Sequence, residues 1–175
     1  MVNILRKILN VLSFQKLKRN YDYNFFEEDQ NNKFKLLGFN RKQALKKLSL
    51  IKKKHDLMDR KMSTEHETLF SALSDKIDIP QIEILEIGTY DGANSFLLSL
   101  LFQNSNITTV DLPEDDDEFA NTYGRQKDFN QFIKKRDQIL SKGKNIEFIK
   151  TNSINLINSK KKFDIIWIDG AHGYP

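Results

Sequence analysis

Apolar and polar positions along the chain follow helical spacing first and strand spacing later, and this change predicts the elements. Residues 2–19 carry an apolar stripe at helical spacing with five Lys and Arg and no acid, which predicts a basic amphipathic helix. Residues 20–40, rich in Asn, Asp, Tyr and Phe, predict a loop or irregular linker. Helical spacing resumes over residues 41–61. Thr64 and Glu67 have the spacing of a capping box, which predicts that another helix begins there.

Strand and helix patterns alternate over the rest of the chain. This alternation predicts an α/β, Rossmann-like fold with a mostly parallel sheet and helices on both faces. We expect it at residues 63–175, preceded by an α-helical N-terminal extension at residues 1–62. An acidic loop is expected at residues 113–124. The expected strands are residues 82–87, 107–110, 146–149 and 163–169, and the helices between them run through residues 96–101 and 129–140.

The net charge of +4 is unevenly distributed. Residues 1–60 carry 15 Lys and Arg against 6 Asp and Glu, so the extension is basic and the remainder acidic. The lysines alternate with Leu and Ile at helical spacing, which favours a solvated helix face, and we expect no nucleic-acid partner. The basic helix at residues 2–19 has two interpretations, peripheral contact with an anionic membrane or docking on the chain's own core or on a partner, and docking is favoured.

The chain lacks both cysteine and a long apolar run, and each absence excludes a class of protein. The chain has no cysteine, which excludes disulfides and thiolate chemistry and fits a reducing compartment. It has no run of 18 apolar residues, so no transmembrane helix is expected. The sequence therefore predicts a cytoplasmic protein, with membrane association through the N-terminus as the alternative.

The most informative segment follows the first predicted strand. The apolar run from Ile82 ends at Glu86, and Gly88 and Gly92 follow before a helix-compatible stretch. This order predicts a buried parallel strand, a tight glycine turn and a helix N-terminus. Such a turn lets a ligand approach bare backbone. The spacing E-x-G-x-x-x-G differs from the dinucleotide fingerprint G-x-G-x-x-G.

Each predicted strand ends in a polar group. The carboxyl ends of parallel strands are where open α/β sheets bind ligands. Asp111, at the end of the second strand, is a candidate for binding both ribose hydroxyls of a nucleoside, because a carboxylate has two oxygens. NAD would use the same geometry, so Asp111 alone does not separate the two classes of cofactor. The other strand ends carry Glu86, Asn152 with Ser153, and Asp169.

Residues 82–175 resemble class I S-adenosylmethionine (SAM)-dependent methyltransferases. The resemblance implies that Glu86 positions the amino-acid part of SAM and that the glycines make room for it. It implies that Asp111 holds the ribose, that Leu112 packs on the adenine and that Asn152 accepts from the adenine amine. The implied cofactor-binding residues are Glu86, Gly88, Thr89, Gly92, Asp111, Leu112, Asn152 and Asp169.

The final segment F-D-I-I-W-I-D-G-A-H-G-Y is similar to the fourth motif of a methyltransferase subgroup and to catechol-type O-methyltransferases. In the catechol type, an aspartate binds Mg²⁺ and a lysine three residues later is the base. Asp169 and His172 hold those two places. A histidine suits deprotonation of a hydroxyl. Alternatively, His172 is structural and Asp169 contacts the cofactor or substrate without metal.

The resemblance implies SAM-dependent O-methylation of a small-molecule or sugar hydroxyl, polysaccharides included. A related hydroxylase or oxygenase, and an inactive fragment that serves as a binding module, are the alternatives. The family core has seven strands and this chain supplies four, so we expect poor activity and an exposed edge strand. His66 has two interpretations, a residue lining the site or a surface helix residue, and the surface is favoured.

Overall fold

The structure is a computed structural model that describes residues 23–57, 65–121, 125 and 127–170. The chain divides into two compact units with the boundary between Lys42 and Gln43. The predicted helix at residues 2–19 lies outside the described residues, and so does the expected boundary between residues 62 and 63, which stays a prediction. Within the described ranges, no helix has the length and apolar character needed to cross a membrane.

The first unit contains the helix α1 (Tyr23–Leu36), so the prediction of a loop over residues 20–40 is wrong. Local interactions favour the helix despite its many asparagines. Lys33 and Asp29 pair at 2.6 Å with i,i+4 spacing, which stabilises a helix. The helix ends where Gly38 adopts a φ of 77° and the N–H of Phe39 bonds the carbonyl of Phe34 at 2.8 Å.

The remaining elements belong mostly to the second unit. The predicted strands are confirmed with shifts of about two residues at their ends. The predicted helices are confirmed with larger shifts, since the one expected over residues 41–61 ends at His55, and a short helix occupies part of the predicted acidic loop. The helices are α2 (Arg41–His55), α3 (His66–Leu73), α4 (Ala93–Leu101), α5 (Asp117–Asn121) and α6 (Phe129–Leu140), with a 3₁₀ helix at Ser153–Asn158. The strands are β1 (Ile82–Ile87), β2 (Ser105–Asp111), β3 (Ile146–Lys150) and β4 (Ile165–Ile168).

The four strands form one sheet in the order β3-β2-β1-β4, and every pair is parallel. Helices surround this sheet, so the predicted Rossmann-like α/β class is confirmed. From β1 the chain continues to β2 and β3 on one side of the sheet, and it then crosses back so that β4 pairs with the other side of β1. The carboxyl ends of β1 and β4 therefore flank the point where the strand order reverses, which is where open α/β sheets bind ligands.

One face of the sheet carries the hydrophobic core. Ile84 of β1 pairs in register with Ile107 and Ile165, and the first two are fully buried. Leu48 of α2 and Phe70 of α3 pack in the same cluster, together with apolar residues of α4. These contacts fix α2, α3 and α4 against the sheet, beside the carboxyl end of β1.

The opposite face is crossed by the segment that leads from β3 to β4. The Nζ of Lys161 donates to the hydroxyl of Thr108 at 2.9 Å and lies 3.3 Å from Glu83 and 3.7 Å from Glu147. Lys161 thus contacts β1, β2 and β3 across this face of the sheet. Beyond it, Ile166 and Ile168 remain 56% and 66% exposed.

Helix α6 is anchored by a buried arginine. The guanidinium of Arg136 bonds Glu114 at 2.5 Å, and Lys150 at the end of β3 bonds the same carboxylate at 2.7 Å. Burial opposes ionisation of Glu114, but these hydrogen bonds and the charge of Arg136 lower its pKa to about 2. The loop after β2 is therefore bound to both α6 and β3.

Candidate functional site

The loop between β1 and α4 has an unusual backbone. Gly88, Tyr90 and Gly92 have φ values of 103°, 50° and 76°, all in the left-handed region. A Cβ on Gly88 would collide with the backbone carbonyl of Asp169, so this glycine lets the ends of β1 and β4 meet. Gly92 is the N-cap of α4. Both glycines of the motif therefore have conformational reasons to be glycine.

Glu86 lies beneath this loop and is fully buried. One carboxylate oxygen accepts from Asn94 at 2.7 Å, and the other accepts from Ser95 and from Thr109, the latter at 2.6 Å. Burial raises the pKa of Glu86, while these hydrogen bonds act in the opposite direction. The acid thus binds β1 to β2 and to the first turn of α4. Its predicted contact with a cofactor stays a prediction.

Thr89 also points inward. Its hydroxyl lies 2.7 Å from that of Thr109. Because the single hydroxyl proton of Thr109 goes to Glu86, Thr89 must be the donor in this pair. Thr89 is 2% exposed, and its carbonyl accepts from the N–H of Gly92 at 2.9 Å, so the residue supports the loop from within the protein.

Asp111 stands at the end of β2, beside the glycine loop. Its Oδ2 accepts from the N–H of Tyr90 at 2.9 Å, and its Oδ1 accepts from the N–H of Leu112 at 2.9 Å. Arg125 approaches Oδ2 at 3.5 Å. The candidate ribose acid is therefore fixed to the loop that begins α4.

The other predicted residues lie at the same edge of the sheet. Asn152 follows β3, where the N–H of Thr151 bonds the carbonyl of Asp111 at 2.8 Å. The Oδ1 of Asn152 accepts from Ile154 at 3.0 Å and caps the 3₁₀ helix, and its side chain is exposed. The N–H of Asp169 bonds the carbonyl of Ile87 at 2.8 Å, which fixes the end of β4 beside that of β1.

Two predicted roles fall beyond what the structure describes. His172 lies outside the described residues, and its role as a base stays a prediction. Within the part of the chain that is described, no three His, Cys, Asp or Glu side chains cluster as metal ligands. Asp169 alone does not make a Mg²⁺ site, because this ion needs further oxygen ligands. No step of the proposed function uses a metal.

A cavity of about 170 Å³ borders the glycine loop, residues 88–92, at Asp91. It lies between α2, the start of α3, the start of α4 and the end of α6. Four acids line it, against two lysines and one histidine. The charged lining residues are Asp56, Glu67, Asp91, Asp169, Lys52, Lys142 and His66.

His66 is the main correction to the sequence interpretation. It is 8% exposed, lines the cavity, and stacks on Trp167 of β4 at 5.0 Å with an interplanar angle of 21°. The surface interpretation is therefore wrong. Thr64 of the predicted capping box lies outside the described residues. The N-cap of α3 is Glu65, without a side-chain capping hydrogen bond, and Glu67 pairs with Lys52 at 2.6 Å.

No family model matches the chain, and no curated protein is significantly similar to it. Among solved structures, it is similar to the S-adenosylhomocysteine (SAH)-bound methyltransferase PaMTH1 of Podospora anserina. The identity is 14% and the TM-score 0.44, over 86% of this chain and 60% of that one. It is also similar to coclaurine N-methyltransferase bound to N-methylheliamine and SAH. There the identity is 16% and the TM-score 0.32, over 63% and 29% of the two chains.

A third similar structure is a fibrillarin/Nop5p complex, at 12% identity and a TM-score of 0.37, over 55% of this chain and 41% of that one. The chain thus spans between 29% and 60% of the length of these three proteins. With every TM-score below 0.5, these are distant similarities. Function is therefore inferred from the site residues alone.

Proposed function

We propose that this chain forms the cofactor-binding part of a SAM-dependent methyltransferase. Asp111 would hold the ribose hydroxyls, with Leu112 beside the adenine and Asn152 near its amine. The amino-acid end of the cofactor would cross the glycine loop into the cavity. When bound, SAM supplies a methyl group activated by a sulfonium, and the protein contributes mainly proximity and orientation.

The observation that carries the proposal is the acidic lining of the cavity at the start of α4. A dinucleotide places its pyrophosphate at such a helix N-terminus. Here Asp91 already accepts from the N–H of Ala93 at 3.1 Å, and Asp169 lines the same cavity. These carboxylates would repel a pyrophosphate and attract cations. SAM carries two cations, a sulfonium and an ammonium, and one carboxylate.

The single carboxylate of SAM also finds a suitable partner. Lys142, at the end of α6, lines the cavity. Lys52 lines it as well but pairs with Glu67 at 2.6 Å. Lys142 is therefore the cation that we assign to the carboxylate of the cofactor. For the reaction, we propose transfer to the hydroxyl of a small molecule or sugar, with His172 as the base that removes the acceptor proton.

Isothermal titration calorimetry with SAH, SAM and NAD tests the proposal. We expect SAH and SAM to bind and NAD not to bind. Asp111→Ala should weaken SAH roughly tenfold or more, because hydrogen bonds to a charged group are lost. The exposed Asp115→Ala is the matched control and should bind SAH as the wild type does. Tighter binding of NAD, or equal SAH binding by wild type and Asp111→Ala, would contradict the assignment.

Adenosine separates the two halves of the site in the same experiment, because it lacks the amino-acid part. Lys142→Met should weaken SAH and leave the affinity for adenosine unchanged. If Lys142→Met weakens both ligands equally, the cavity does not receive the amino-acid end.

A further inference from the structure

Arg125 is buried against the candidate ribose acid, although the sequence pattern gives no role to it. Its side chain is 5% exposed. The guanidinium carbon lies 4.1 Å from the ring centroid of Phe119 and 5.2 Å from that of Phe132. The Nη1 of Arg125 donates to the carbonyl of Phe119 at 3.2 Å, and its Nη2 lies 3.5 Å from Oδ2 of Asp111. The aromatic rings hold the cation in place through cation–π contacts.

The same arginine supports the strained residue of the glycine loop. Tyr90 has a φ of 50°, which is costly for a bulky side chain. Such a conformation persists when the surroundings fix it from several sides, and it is concentrated at functional sites. Its N–H bonds Asp111 at 2.9 Å, and its ring lies 5.4 Å from both Phe132 and the guanidinium of Arg125.

The carboxylate of Asp111 accepts two short hydrogen bonds and one long one. A carboxylate has about four acceptor positions. The N–H groups of Tyr90 and Leu112 occupy two of them at 2.9 Å. Among the described residues, the third donor is Arg125, at a long 3.5 Å. One position is therefore unused by the described residues, and a second is held only by the long contact to Arg125. These two positions are open to a ribose diol as long as the carboxylate keeps this orientation.

We propose that Arg125 is a positioning residue for ribose recognition. Its charge and its aromatic support hold Asp111 and Tyr90 in the arrangement that offers the hydroxyls one unused acceptor position and one that is held only by a long contact. This role rests on the proposed function, since it requires a ribose at Asp111. Arg125 itself acts through Asp111 and does not contact the reacting atoms.

Nucleosides that differ only in their hydroxyls test the role. Arg125→Met retains the length of the side chain and removes the charge. It should weaken adenosine and SAH roughly tenfold, as for a lost charged hydrogen bond, and leave the weak binding of 2′,3′-dideoxyadenosine unchanged. Arg125→Lys should recover part of the loss. In an Asp111→Asn background, Arg125→Met should have no further effect on adenosine.

Several outcomes would overturn the role of Arg125. Unchanged or tighter adenosine binding by Arg125→Met is one. Equal weakening of the binding of adenosine and of the dideoxynucleoside is another, because it indicates a general loss of structure. Urea unfolding of the same variants measures such a loss. If wild type binds SAH and Asp111→Asn weakens it, the proposed function stands even when Arg125 has no effect. If wild type binds neither SAH nor adenosine, both proposals fail.

Discussion

Glu86 shows how a single buried residue can hold the elements of the site together. Its carboxylate is fully buried and accepts hydrogen bonds from Asn94, Ser95 and Thr109. Removing one donor would leave part of a buried charge unsatisfied, which is costly. Glu86 is therefore as much a link between β1, β2 and α4 as a candidate binding group.

The pH dependence of stability should report this burial. Burial raises the pKa of Glu86 above its usual 4.5. The folded protein therefore holds this proton more tightly than the unfolded chain does. Its contribution to stability is complete below pH 4.5 and is lost as the pH rises through the folded-state pKa. Glu86→Gln does not titrate, so it should gain in free energy of unfolding relative to wild type between pH 4.5 and 8.

Urea unfolding of both proteins across this pH range measures the difference, with the exposed Glu118→Gln as the control. Parallel pH profiles for wild type and Glu86→Gln would contradict the expectation.

The sequence identified the residues at strand ends but not those brought in by packing. Asp111 and Asp169 could be predicted because parallel strands end at one edge of the sheet. His66 begins α3 and Lys142 follows the end of α6, far apart in the chain, and only the packing of these helices places them at one cavity. The inward direction of Thr89 was missed for a similar reason, since a motif does not specify where a side chain points.

At the scale of elements, periodicity predicted the strands well. Each contains several β-branched residues in a short run, which is a strong strand signal. Helix α1 was missed because its asparagines and tyrosines resemble loop composition. The pairing of Asp29 with Lys33 and the left-handed Gly38 identify it in retrospect. The composition of a segment does not record the spacing of its residues, whereas an i,i+4 pair depends on that spacing.

The packing of α2 on α3 depends on a buried ion pair. Lys52 and Glu67 meet at 2.6 Å with side chains 8% and 20% exposed. Breaking such a pair leaves an uncompensated charge, so Lys52→Met should cost about 3 kcal/mol. Lys47 of the same helix pairs with Asp75 at 2.6 Å but is 31% exposed, and Lys47→Met should cost under about 1 kcal/mol.

Urea unfolding of the two variants gives the comparison directly. The double change Lys52→Met with Glu67→Leu should recover most of the loss, because replacing a buried pair by apolar residues is often neutral. Equal losses at Lys52 and Lys47 would contradict a special role for the buried pair.

At the scale of the whole molecule, helices α2, α3 and α4 pack on one face of the sheet, and on the other face two isoleucines of β4 are mostly exposed. Among the described residues, β4 has β1 on one side and no strand on its other side. Ile166 and Ile168 point away from the core face and remain mostly exposed, while Ile165 and Trp167 pack on the core. The expected exposed edge strand is thus present, and it carries no charge along its length.

An uncharged, apolar edge strand promotes pairing with another chain. We therefore expect the 175-residue chain to self-associate, with a weight-average mass that rises with concentration in sedimentation velocity. Ile166→Thr with Ile168→Thr retains β propensity, removes apolar surface and should lower this association while changing stability by less than about 0.5 kcal/mol each. Leu36→Thr, at an apolar position that is 87% exposed outside the sheet, is the control for general surface hydrophobicity. Equal self-association of wild type and the double variant would assign the association to another surface, whereas a loss confined to the double variant would assign it to β4.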